Sequence, residues 1–168
     1  DKEHSLHGSI QIVYHNNSAD TLSYIMMHLW PNAYKHQQTP FAKQLLELDR
    51  YDFHFANKKQ RGYMDSLAFT VDGHRVKVES QFEQGDITKL LLNKPLLPGD
   101  SLQIKTGFRV KIPANFSRFA HKDGTYMICQ WYPKPAVYDK EGWHAMSYLD
   151  QGEFYSDFGS FSVRVQLP

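Results

Sequence analysis

Nine histidines, His4, His7, His15, His28, His36, His54, His74, His121 and His144, are the first residues to weigh for chemistry. A helical zinc site sets two histidines four apart with a glutamate between, so that both imidazoles leave one face and the carboxylate serves as base. No pair in this chain has that arrangement. His4 and His7 are three apart, a spacing that holds metal weakly at best; the other route to a metal is a set of ligands gathered from distant strands. Serine chemistry lacks its local sign: there is no Gly-x-Ser-x-Gly elbow, and Gly159-Ser160 has no strand-turn-helix context. No Gly-rich phosphate loop is present. The carboxylate pairs Asp150/Glu153 and Asp123/Asp139 read as solvated surface groups. Cys129 is the single cysteine, which rules out an intrachain disulfide and a cysteine zinc site. In the apolar run Tyr126-Met127-Ile128-Cys129 it reads as an inert, buried thiol.

The other feature with chemical content is aromatic. Trp131, Tyr132, Pro133, Pro135, Tyr138, Trp143, Tyr148, Phe154, Tyr155 and Phe158 crowd one stretch of chain. Connecting segments are usually polar because they run over the surface. An aromatic one must pack on its own domain, on another domain or on a ligand, and either of the last two makes it an interaction surface.

The elements that position these residues read as strands. Ser9–Tyr14 alternates with period two, Asn16–Asp20 is a turn cluster, and Leu22–Trp30 is a second strand, so the pair reads as a hairpin with a long loop. Thr39 caps and Pro40 opens the one helix, which ends near Asp49 and sets Phe41, Leu45 and Leu48 on one face. Residues 51–62, with Lys58-Lys59-Gln60-Arg61, read as a solvated loop. Leu67, Phe69 and Val71 alternate into the hairpin turn Asp72-Gly73, with Val76, Val78 and Phe82 on the return. Strands follow at Asp86–Leu92, at Leu102–Ile112 with Leu102, Ile104, Thr106, Phe108 and Val110 on one face, at Tyr126–Trp131 and at Phe161–Leu167. About eight strands and one short helix, with no repeats or internal boundary, predict a single all-β domain over 1–168: an antiparallel β-sandwich or saddle-shaped sheet.

Composition agrees. The chain has 168 residues, 41% hydrophobic and 14% aromatic, enough for one sizeable core, and aromatics favour pleated surfaces. A net charge of +1 supplies no bulk drive toward nucleic acid. No run approaches the ~20 apolar residues of a membrane span.

Several blocks together resemble the aminopeptidase N family of zinc metallopeptidases, in a bacterial branch with a long aromatic insertion. They are Tyr14-His15-Asn16-Asn17-Ser18, Leu29-Trp30-Pro31-Asn32-Ala33-Tyr34, Leu96-Leu97-Pro98-Gly99-Asp100-Ser101 and Gln130-Trp131-Tyr132-Pro133-Lys134, in the family's order and spanning nearly the whole chain. The resemblance implies a saddle-shaped, non-catalytic N-terminal domain that packs on a thermolysin-like catalytic domain, expected downstream. It implies a parent enzyme that removes N-terminal residues from peptides, with zinc held in the catalytic domain and no cofactor in this chain. Neither His-Glu-x-x-His nor Gly-x-Met-Glu-Asn occurs here.

The resemblance also carries a substrate contact. The family sends a Gln or Glu from this region toward the substrate's amino terminus, and Gln130 stands at the matching place. A carboxamide oxygen accepts from an ammonium without burying a charge. The usual second Gln or Glu is replaced by Tyr132. Trp131, Pro133, Tyr138, Trp143, Phe154 and Tyr155 are the expected interdomain surface. The implied partners are the chain's own catalytic domain and a peptide substrate, with no nucleic acid and no membrane span; the sequence leaves the compartment open, the periplasm or cell envelope being a guess. A free-standing β-sandwich module for a peptide or carbohydrate, and a self-contained hydrolase built from scattered histidines and carboxylates, are the rival readings.

Overall fold

A computed structural model describes residues 3–80, 85–152 and 154–166. The strands are β1 (Ser5–His15), β2 (Leu22–His28), β3 (Tyr63–Asp65), β4 (Thr70–Val71), β5 (His74–Arg75), β6 (Lys77–Ser80), β7 (Ile87–Leu96), β8 (Ser101–Lys111), β9 (Phe119–Lys122), β10 (Thr125–Ile128), β11 (Lys134–Pro135), β12 (Val137–Asp139) and β13 (Gly142–His144). Helix α1 (Pro40–Glu47) is the one α-helix among the described residues, and Trp30–Tyr34 is a 3-10 turn. The fold is all-β and antiparallel with one short helix, as the strand and turn pattern predicts. No helix among the described residues is long and apolar enough to cross a membrane.

Strand β8 organises one sheet. It pairs along its full length with β1, and on its other edge with β3 and β4, the latter continuing to β5. Leu102, Ile104, Thr106, Phe108 and Val110 all face the core, as the period-two reading expects, while Lys105 and Gly107 face out. The second sheet runs β11-β2-β7-β6. Ile25, Met27, Leu90 and Leu96 from it share one core with the inward face of β8. Burial of such side chains is worth roughly 1.5–3 kcal/mol each, so this shared layer dominates the fold's cohesion.

The expected hairpin of the first two strands does not form, because β8 holds β1 and β7 holds β2. Asn16 makes the corner between the sheets. Its backbone bonds Asp100 and Gly99, and its side-chain amide donates to the carbonyls of Asp20 at 2.7 Å and Leu96 at 3.2 Å. The Asp72-Gly73 turn is present, with φ of 49° and 81°, but its return strand is only two residues long before Lys77–Ser80 crosses to β7. Phe82 lies outside the described residues. The second expected strand stops at His28, where the chain winds into the Pro31-containing turn.

Thr39 caps α1 as expected, accepting from Ala42 N–H at 3.2 Å while its hydroxyl donates to the Ala33 carbonyl at 2.7 Å. Phe41 and Leu45 are buried, whereas Leu48 lies past the helix end and is partly exposed. The loop after it is solvated at Lys58-Lys59-Gln60, yet Phe53 from the same loop is fully buried against Tyr34 and Phe41. Residues 161–166 are exposed and pair with no strand among the described residues, contrary to the final strand expected there; Leu167 lies outside the described residues. Alternation alone does not make a strand. It needs a neighbour to receive its backbone groups.

Candidate functional site

The segment from Gln130 onward is built in three pieces. The hairpin β9–β10 leads into it, turning at Asp123 and Gly124 with φ of 49° and 79°. Two positive φ values in a two-residue loop match the right-handed twist of the strands, which is why Asp-Gly suits this turn. Phe119 and Ala120 root the hairpin in the core, while Thr125, Tyr126 and Met127 are exposed. Cys129 is exposed as well, against the buried thiol expected from its apolar run. β10 has a sheet partner on one side and little packing on its faces.

Gln130 follows with φ 54°. A side chain with a Cβ avoids this left-handed region at a cost of about 1–2 kcal/mol, and such strain persists where surroundings impose it. The residue is half-buried, and its amide has no hydrogen-bond partner among the described residues. Trp131 then packs on Phe108 of β8, with ring centroids 5.8 Å apart. Tyr132 stands edge-on to Trp131 and to Phe161, and burial pushes its phenol up from the ordinary value. Pro133 is buried, and Lys134–Pro135 pairs with β2 at His28 and Met27.

The second piece is the hairpin β12–β13, turning at Gly142 with φ 98°. Its Trp143 lies against Tyr138 at 5.0 Å and against Tyr14 and Tyr24 at 6.2 Å each. Tyr138 donates to Asp20 at 2.9 Å. Burial, with Asp157 nearby, pushes the Tyr14 phenol up to about 12.

The third piece, residues 145–150, is clamped to the domain. The indole of Trp30 donates to the Met146 carbonyl at 3.0 Å, and Met146 N–H donates to His28 Nε2 at 3.2 Å. Asp86 accepts from Tyr148 N–H at 2.7 Å and from the Ser147 hydroxyl at 3.2 Å. Arg50 closes the end on Asp150 at 2.5 Å. Tyr148 is 1% exposed and packs among Tyr34, Phe41 and Phe154. Both titratable clamps are nearly inaccessible. Desolvation pushes Asp86 up to about 6, against the hydrogen bonds it accepts, and desolvation with Lys134 nearby pushes His28 down to about 3. Since His28 Nε2 accepts, its proton sits on Nδ1, which is buried without a partner among the described residues. Lys134 lies over the face of Trp30, 4.3 Å from its centroid, and donates to Ser156.

Of the residues singled out in the sequence, Trp131, Tyr132, Tyr138, Trp143 and Phe154 are half-buried against the chain's own core and Pro133 is buried, while Tyr155 is exposed. Phe158, Phe161, Val163 and Val165 beyond it are also exposed. Trp30 and Asp86, which set the segment's position together with His28, carry no sign of that role in the sequence, where His28 is one of nine scattered histidines. The Trp30 block was noted for its likeness only, and Asp86 looked like an ordinary strand start. Asp150 meets Arg50, and Asp139 lies 2.8 Å from His144 Nε2. Among the described residues no group of three or more His, Cys, Asp or Glu is arranged to hold a metal ion. What the arrangement offers is a free carboxamide at a strained turn beside a row of aromatics. Comparison with protein-family models, curated proteins and solved structures finds no match.

Proposed function

We propose that this chain is the non-catalytic N-terminal β domain of a bacterial zinc aminopeptidase, and that Gln130 holds the amino terminus of a peptide substrate. The observation that carries the reading is the state of Gln130: a left-handed, half-buried residue whose amide has no partner within the described chain. Backbone strain at a non-glycine position is a mark of functional sites, and an unpaired amide is available to a ligand. The chain from Trp131 to Asp150 is fastened to the core by Phe108, Trp30, His28, Asp86 and Arg50, which makes it a rigid support for that turn.

In this reading the zinc belongs to the catalytic domain, bound by ligands outside this chain. The exposed Tyr155, Phe158 and Phe161 meet that domain, and Tyr132 walls the peptide cleft. The test is Gln130→Ala in the full-length protein with an aminoacyl reporter. Loss of a hydrogen bond to a charged group is worth roughly 1.5–3 kcal/mol, so KM should rise about ten- to a hundredfold with kcat little changed. Gln130→Gly, which relaxes the backbone, should show the same KM defect in a domain at least as stable. A full-length protein that cleaves no aminoacyl reporter but binds peptide or polysaccharide would replace this reading with the binding module.

A further inference from the structure

Strand β10 leads into Gln130; Ile128 packs its far end on the core, and near the hairpin turn a contact at Tyr126 holds it outside its ladder. The imidazoles of His4 and His121 stack with centroids 3.6 Å apart and planes 10° from parallel. His4 Nδ1 shares a 2.8 Å hydrogen bond with the hydroxyl of Tyr126, and the Tyr126 ring leans on both histidines at 5.8 and 6.1 Å. His4 is itself fixed by its carbonyl, which accepts from Ile112 N–H at 2.8 Å just past β8. The stack reaches β9, where His121 N–H also donates to the Pro113 carbonyl at 2.9 Å, and the Tyr126 hydroxyl extends the tie from His4 to β10. The root stays in place through Phe119 and Ala120, whereas Thr125, Tyr126 and Met127 have no burial to hold them.

We propose that the His4–His121 stack is an acid-released latch on β10, fixing the strand that leads into Gln130 while the His121 ring is neutral and freeing it when that ring gains a proton. Neutral imidazoles stack favourably, whereas a proton gained by His121 sets positive charge within the stack and near Lys111. The charges around them favour release. Lys111 acts on His121 with the same sign, with Arg109 further along β8; Glu3, which acts on both, is the opposing charge, and Lys122 and Asp123 lie at the hairpin turn. Partial burial, His4 and Lys111 together hold the His121 imidazole below its ordinary value, which places release on the acid side of neutrality. The latch stands on this geometry alone. Only its consequence for substrate binding rests on the function proposed above.

The test is amide hydrogen exchange of the 168-residue chain followed by NMR between pH 7.5 and 5, corrected for intrinsic rates. Protection at Met127, whose N–H faces Ala120 in the β9–β10 ladder, should fall severalfold at pH 5. Protection at Ile104 in β8 should not change. His121→Phe keeps an aromatic ring on His4 and leaves the Tyr126 bond, so it should hold protection at pH 5. Unchanged protection in the wild type, or an equal loss in His121→Phe, overturns the latch. Because no substrate enters this experiment, its failure leaves the aminopeptidase reading standing, and an inactive full-length protein leaves the latch standing.

Discussion

Asp86 should make the domain lose stability as pH rises, the reverse of the ordinary carboxylate. Its folded value is raised from 3.8 to about 6 because the group is 1% exposed, and desolvation outweighs the bonds from Tyr148 N–H and the Ser147 hydroxyl. Below 3.8 the carboxyl is neutral in both states and nothing is lost. Between the two values the unfolded chain releases a proton that the folded chain keeps, so stability falls with each pH step. Above about 6 the loss is complete. At about 1.4 kcal/mol per pH decade the total is about 3 kcal/mol. The assay is urea unfolding of wild type and Asp86→Asn across pH 4–8. The amide oxygen of the variant still accepts from Tyr148, and its nitrogen can donate to the Ser147 oxygen, so packing is kept while titration is removed. The variant should gain on the wild type as pH rises, by up to about 3 kcal/mol at pH 7.5. His28 runs the other way. With its value lowered to about 3, it supports the fold above pH 6.5 and loses that support as pH falls toward 3, but it is common to both proteins and cancels in the difference. Parallel pH profiles for the two proteins would refute the reasoning, for they would mean that Asp86 is not the buried acid described here.

Gly8→Ala should destabilise the domain by about 1–3 kcal/mol in thermal or urea unfolding, because a Cβ at that position lies 2.7 Å from the Phe108 ring and the ring must move; Phe108→Leu should relieve part of the cost. Thr39→Ala should cost about 2 kcal/mol, since the hydroxyl both caps α1 and satisfies the buried Ala33 carbonyl, and Thr39→Ser should recover most of it.

How much of this was legible in the chain differs from residue to residue. The alternation Leu102, Ile104, Thr106, Phe108, Val110 placed a strand and its buried face correctly, because a strand's period is a property of the backbone. Thr39-Pro40 and Asp72-Gly73 were readable because a cap and a tight turn are settled within a few residues. Asp123-Gly124 carries the same signal as Asp72-Gly73, so the β9–β10 hairpin was legible too, though it went unread. For the candidate site, the sequence offered Gln130 and its aromatic neighbours as types of residue and no more.

What the tertiary structure alone decided is who meets whom. β1 pairs with a strand some ninety residues away rather than with β2, because Asn16 turns the corner and β8 offers a full-length partner. Phe161, Val163 and Val165 alternate as well as any strand in the chain, yet they lie exposed because no described strand is beside them. Cys129 sits in an apolar run and is exposed, while polar Asp86 and His28 are buried to clamp a distant segment. Periods, caps and turns are short-range energies written into neighbouring residues. Partner choice, burial and the left-handed turn at Gln130 depend on surfaces brought together from far along the chain, whose free energy no local pattern contains.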